Sequence, residues 1–237
     1  MNATRIKQLK DFENNIGYKF KNLEVLNLAF THSSFSNEHK NFSDHNERLE
    51  FLGDSVANLV VTDLLFQELG SVPEGVMTKI RATIVCESSF ACASRELGIP
   101  KYLLLGKGEE LSGGRDRASL LADAFEAFCG ALYLDAGFIV VREFLLSRYK
   151  DKILNDIKND RVSTDYKTTL QEFYHKKYRG KVKYRLVKEE GPDHNKVFHV
   201  NVVSNDKTIG SGIGKSKKES EHNAAKDALV KLGYLND

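Results

Sequence analysis

Apolar residues recur at helical spacing through the first two thirds of the chain, then switch to alternation. Leu23, Leu26, Ala29 and Phe30 in LEVLNLAF predict an early helix. THSSFSNEHKNFSDH is polar and aperiodic, which predicts a loop. A long helix is expected from about Asn46 to Leu69, with Leu49, Leu52 and Val56 on its apolar side and Gly70 as its stop. SVPEG reads as a turn, and MTKIRATIVCESSFACASRELG as a return to helix. GKGEELSGGRDR is Gly-rich and charged, so an exposed loop is expected. SLLADAFEAFCGALYLDAG is a second strong helix, and FIVVREFLLSRYKDKILNDI closes the first part as helix.

NDRVSTDY carries no periodicity, which puts a linker at 158–164 between a domain of residues 1–157 and one of 165–237. After a helical DYKTTLQEFYHKKY, the segments KVKYRLVKEEG and KVFHVNVVSNDKTIGSGIG alternate like strands, with Phe198, Val200 and Val202 on one face. Asn205 and Asp206 are candidates for a hairpin turn. Ser216 followed by Glu219 fits a capping box, and Ala224, Ala225, Ala228, Leu229 and Leu232 form the buried stripe of the helix that follows. The expected architecture is an all-α domain followed by a small α+β unit of order α-β-β-β-α.

Composition narrows the class. Of 237 residues, 41% are hydrophobic, enough for a core, and 29% are charged. No run of about 18 apolar residues suggests a membrane span, and the first 20 residues lack an apolar signal-like stretch. Cys86, Cys92 and Cys129 have no CxxC spacing and read as reduced core residues of a cytosolic protein. The net charge of +2 conceals an asymmetry. Residues 1–160 hold 19 Lys and Arg against 23 Asp and Glu, whereas residues 161–237 hold 16 against 10. Metal chemistry in front and polyanion binding behind would suit that division.

The chemistry concentrates in two helices. At about 100° per residue, Glu47, Glu50 and Asp54 fall within roughly 60° of one another, opposite the apolar stripe. Asp123 and Glu126 share a face of the second helix, beside Ala127 and Gly130, with Leu121, Phe125, Phe128 and Leu132 behind. If the two faces meet, Glu50, Asp54, Asp123 and Glu126 make an oxygen-only cluster of the kind Mg²⁺ takes. Two carboxylate-held metals can activate water and stabilise the leaving oxygen of a phosphodiester. Spacing alone leaves open that both faces are ordinary solvated surface. His32, with Ser33 and Ser34, has no Gly-x-Ser-x-Gly elbow and reads as structural or capping. Arg115 and Arg117 read equally as phosphate contacts or as a solvated loop. Lys215, Lys217 and Lys218 crowd the positive end of the last helix, where a bound phosphate run would relieve their repulsion.

NERLEFLGDSVANLVV, TKIRATIV, LGKGEELSGGRDRASLLADAFEAFCGALYLD, KTTLQEF, GPDHNKVFHV and GSGIGKSKKESEHNAA occur in this order. Together they resemble the ribonuclease III family in its bacterial members, over nearly the whole chain. The resemblance implies an all-α endonuclease domain, homodimeric through that domain, followed by a double-stranded-RNA-binding domain. It implies cleavage of both strands of double-stranded RNA, leaving 5′-phosphates, 3′-hydroxyls and short 3′ overhangs, in the cytoplasm. Processing of ribosomal precursors, transfer RNA and structured messages is the expected work. Carried onto this chain, Glu50, Asp123 and Glu126 are metal ligands for Mg²⁺, with Mn²⁺ as a substitute. Asp54 and Glu126 are the catalytic carboxylates, Glu47 and Glu74 supporting acids, and Phe51 a dimer contact. Gln171, Glu172, His194, Lys215, Lys217 and Lys218 are the RNA-binding positions. Ser55 and Ser220 stand where alanine is common and Lys215 where arginine is common. The rival reading is a non-catalytic double-stranded-RNA-binding scaffold. A DNA nuclease fits the carboxylates but not the C-terminal unit.

Overall fold

The computed structural model describes residues 1–39, 44–70, 72–158, 166–192 and 196–235. Two compact units result: Met1–Leu65 with Arg81–Asn159, and Phe66–Ile80 with Asp160–Asp237. Among the described residues no helix is long and apolar enough to cross a membrane. The expected linker lies outside the described residues, apart from Lys158, which ends a helix.

The helices before that point are α1 (Ala3–Ile16), α2 (Leu23–Ala29), α3 (Ser33–Glu38), α4 (Glu47–Glu68), α5 (Glu74–Ile84), α6 (Glu87–Glu96), α7 (Lys107–Leu111), α8 (Ala118–Ala136) and α9 (Phe138–Lys158). The centre of the first unit is α8. Leu120, Leu121, Ala122, Ala124, Phe125 and every residue from Ala127 to Leu132 are buried. A helix apolar nearly all round belongs inside, and neighbours close on it from several sides. Phe128 meets Phe12 at 5.5 Å edge-on, and Phe12 meets Phe30 at 4.9 Å, which ties α1 and α2 to α8. Each such ring removed from water contributes about 1.5–3 kcal/mol.

Helix α4 crosses α8 at two glycines. A Cβ on Gly53 would lie 1.7 Å from the Glu126 carbonyl oxygen, and one on Gly130 would lie 2.3 Å from the Leu49 carbonyl oxygen. The two backbones therefore touch, which brings the side chains one turn away on each helix to a common space.

Four local expectations are corrected. The stretch after Thr31 holds the short helix α3, because His32 caps it: its Nδ1 accepts from the Ser34 N–H at 3.3 Å. Residues 77–98 form two helices, α5 and α6, broken where Cys86 adopts an extended N-cap conformation. The Gly-rich 106–117 stretch is largely exposed as expected, but it folds as α7 and a 3-10 turn, Gly114–Asp116, rather than as a loop. Arg115 organises it, donating to the carbonyls of Pro100 at 2.5 Å and Leu103 at 3.1 Å and to Glu110. Of the three cysteines only Cys129 is a core residue; Cys86 is half-buried, Cys92 is exposed, and all are free. Cys92 lies on the outward side of α6 and Cys86 at its N-cap, so neither thiol reaches the core.

The C-terminal elements are α10 (Tyr166–Tyr178), β1 (Lys183–Glu190), β2 (Val197–Ser204), β3 (Lys207–Gly214) and α11 (Lys217–Lys231). The sheet is antiparallel in the order β1-β2-β3. Asn205 and Asp206 have φ of 47° and 60°, the left-handed pair that a two-residue hairpin of matching twist requires. Val200 and Val202 turn inward, and Ala224, Ala225, Ala228 and Leu229 of α11 are fully buried. Gly212 lets β3 lie against α11, since a Cβ there would come within 2.2 Å of the Ala224 nitrogen. The Ser216 hydroxyl caps α11, accepting from Glu219 N–H at 3.1 Å, while the Glu219 carboxylate accepts from Lys215 N–H at 2.7 Å.

Candidate metal centre and nucleic-acid interface

Asp123 and Glu126 are the half-buried interruptions on the buried stretch of α8. The Gly53–Gly130 crossing brings α4 against that face. As a result one carboxylate oxygen each from Glu50, Asp123 and Glu126 lie within 4.8 Å of one another. No basic side chain is hydrogen-bonded or ion-paired to any of the three among the described residues. Like charges so placed oppose each other, and partial burial makes their ionisation harder.

The electrostatics follow from that arrangement. Burial, then Asp54, Glu50 and Asp123, push the Glu126 carboxyl up to about 8. Burial, then Asp123, Glu47 and Asp54, raise Glu50. Burial raises Asp123 as well, with Glu87 and Glu47 adding to it; an imidazolium at His32 would act in the opposite direction. Three hard oxygen donors in a half-dry space, mutually repelling and unpaired, fit a divalent cation. An ion of charge two converts their repulsion into attraction and favours the ionised form of all three.

Asp54 stands beside the trio on α4 and is one of the charges that act on Glu126. Its Oδ1 accepts from Asn58 Nδ2 at 2.6 Å, which fixes the carboxylate's rotation. The role of Asn58 was missed in the sequence, although an Asp followed four residues later by Asn on one helix face was the available signal. Glu47 is exposed, 3.6 Å from the His45 ring. Glu74 begins α5 in solvent, where the Thr78 hydroxyl donates to it at 2.8 Å. Neither belongs to the group of three. Phe51 projects into solvent with 79% of its surface accessible, and Leu59 and Phe66 follow it along the same helix, both exposed. Gly53 was also missed. A glycine inside a helix is disfavoured by about 1 kcal/mol against alanine, and that local cost was its signal.

In the second unit, Lys215, Lys217 and Lys218 are exposed around the start of α11. The Lys217 amine sits 3.0 Å from Glu189 of β1 and over the Phe198 ring at 5.8 Å. Gln171 accepts from the Val182 N–H at 3.4 Å, and Glu172 lies 3.8 Å from the Lys79 amine. His194 falls outside the described residues. Arg117 pairs with Glu109 at 2.6 Å, and Arg115 divides its bonds between the carbonyls of Pro100 and Leu103 and the Glu110 carboxylate.

Comparison with known proteins agrees with this layout. A ribonuclease-III-like family model matches residues 22–153, and a double-stranded RNA binding motif matches residues 166–232. Ribonuclease 3 of Borreliella afzelii is 46% identical over 232 residues, covering 98% of this chain and 94% of the relative. Ribonuclease 3 of Caldanaerobacter subterraneus is 49% identical over 223 residues, covering 94% and 97%. Among solved structures, the nuclease domain of ribonuclease III from Campylobacter jejuni superposes with a TM-score of 0.54 at 40% identity. That match covers 57% of this chain and 92% of the other, whose report concerns flexibility in a region involved in dimer formation. With a family model spanning more than half the chain, and near-complete relatives that share almost half its residues, the chain belongs to the ribonuclease III family.

Proposed function

We propose that the protein is a Mg²⁺-dependent endoribonuclease that hydrolyses phosphodiester bonds on both strands of double-stranded RNA. Its products carry 5′-phosphate and 3′-hydroxyl ends with short 3′ overhangs, and its substrates are ribosomal precursors and structured messages in the cytosol. The observation that carries this reading is the meeting of Glu50, Asp123 and Glu126 within 4.8 Å. All three have an environment that raises their proton affinity.

Glu50, Asp123 and Glu126 would hold the cation, which when bound would supply the positive charge that activates water and stabilises the departing 3′-oxygen. Glu126, the most perturbed of the three, gives up its proton as the site loads. Asp54, held by Asn58, adds negative charge beside Glu126 and is with it a catalytic carboxylate. Phe51, Leu59 and Phe66 form the apolar stripe by which α4 meets a second copy of the chain. Residues 165–237 form the RNA-binding domain, joined by the 158–164 linker to the nuclease domain of residues 1–157. Lys215, Lys217 and Lys218 clamp phosphates, while Gln171, Glu172 and His194 meet the shallow minor groove of A-form RNA.

The test is cleavage of a perfect RNA duplex with and without Mg²⁺ by the parent chain and by Glu126→Gln. Metal-dependent cutting by the parent, lost in the variant with binding retained, is the expected result. Binding without cutting by the parent would identify a scaffold instead.

A further inference from the structure

His32 uses one ring nitrogen for structure and leaves the other for something else. Its Nδ1 accepts from the Ser34 N–H and lies 2.8 Å from the Ser34 hydroxyl. That hydroxyl oxygen in turn accepts from the Gly106 N–H at 2.9 Å, and since the Ser34 N–H is already aimed at Nδ1, the hydroxyl proton is directed there too. With Nδ1 spent as an acceptor, these hydrogen bonds assign the ring proton to Nε2. Among the described residues no hydrogen bond takes up that Nε2–H.

The segment that carries the ring is also tied to the helix that carries Glu50. The backbone oxygen of Thr31 accepts from Asn46 N–H at 2.9 Å, and the Asn46 oxygen accepts from Glu50 N–H at 2.9 Å. The residue before His32 is thus tied to the first turn of the helix that carries Glu50. His32 N–H donates to the Leu104 oxygen at 3.1 Å, which fixes the other side of the segment. The ring lies within electrostatic reach of Asp123.

We propose that His32 is a further substrate-contacting residue, whose Nε2–H donates to a phosphate oxygen of the RNA strand lying over Glu50, Asp123 and Glu126. This rests on the nuclease reading above. The chemistry suits the place. A lysine or arginine beside three carboxylates would pair with them and compete with the cation. An imidazole with its proton on Nε2 donates a hydrogen bond without neutralising a ligand. The cap built on Nδ1 favours the tautomer with its proton on Nε2 and holds the ring to one orientation.

Two substitutions separate capping from substrate contact. In His32→Asn the amide oxygen takes the place of Nδ1, and asparagine is among the best capping residues, but the distal donor is gone. In His32→Gln the longer amide carries an N–H to the Nε2 position. The readouts are single-turnover cleavage of duplex RNA, Mn²⁺ affinity of the protein alone, and the thermal midpoint. Loss of one donor to a charged group predicts roughly 10- to 100-fold slower cleavage by His32→Asn, with midpoint and Mn²⁺ affinity unchanged. His32→Gln should recover most of the rate. Cleavage by His32→Asn within about twofold of the parent overturns the proposal, as does equal slowing in both variants with a matching fall in midpoint. An inactive parent would instead sink the nuclease reading.

Discussion

A Cβ atom at Gly53 would lie 1.7 Å from the carbonyl oxygen of Glu126. The two helices that carry the carboxylates therefore meet backbone to backbone, and the spacing of the cluster is set by the absence of a side chain.

Gly53→Ala should force α4 away from α8. Overpacking of this kind costs about 1–3 kcal/mol, to be measured by denaturant unfolding. A displacement near 1 Å of Glu50 relative to Glu126 would slow cleavage roughly 100-fold. Gly108→Ala is the control: a Cβ at that position meets nothing within 4 Å, and neither stability nor rate should fall. Equal behaviour of the two variants would mean that the crossing is looser than its geometry indicates.

The raised Glu126 carboxyl has a defined consequence for stability. Between about 4.5 and about 8 the folded chain keeps a proton that the unfolded chain has released. Metal-free protein is therefore stabilised by this group at low pH and loses that contribution as pH rises through the window. Glu126→Gln should flatten the fall of the thermal midpoint between about pH 5 and about pH 8, recorded in the presence of a chelator. Added Mg²⁺ should raise the parent's midpoint and release protons, which calorimetry in two buffers of different ionisation heat detects. A parent with no pH slope across this range would contradict the assigned environment.

The lysines around the start of α11 predict a salt effect. The Lys217–Glu189 pair is exposed, and such pairs are worth about 0–1 kcal/mol, so a phosphate can displace the glutamate. Replacing Lys217 and Lys218 together by alanine should weaken duplex binding. It should also reduce the slope of log affinity against log salt by about 1 for each phosphate no longer neutralised. An undiminished slope would put the phosphate-binding lysines elsewhere.

Much of this was legible in the residue pattern. The period of α4 and α8, with leucines and phenylalanines behind and acids in front, gave the faces that later meet. The change to alternation after residue 182 and the Ser216–Glu219 box announced the C-terminal unit. What stayed hidden depended on partners distant in sequence. Arg115 looks like a loop charge until its carbonyl acceptors at Pro100 and Leu103 are in place. His32 caps a helix too short for periodicity to reveal. Asn58 gains meaning only because the carboxylate it holds belongs to a cluster, and Cys92 is exposed because its helix turns that side outward.

The position of Asp123 and Glu126 on the most enclosed helix of the first unit has a final implication. Durability and chemistry make opposite demands on α8: the core asks for oil where catalysis asks for acid. Selection for heat resistance alone, applied without an assay of RNA cutting, would be expected to strip those two acids first.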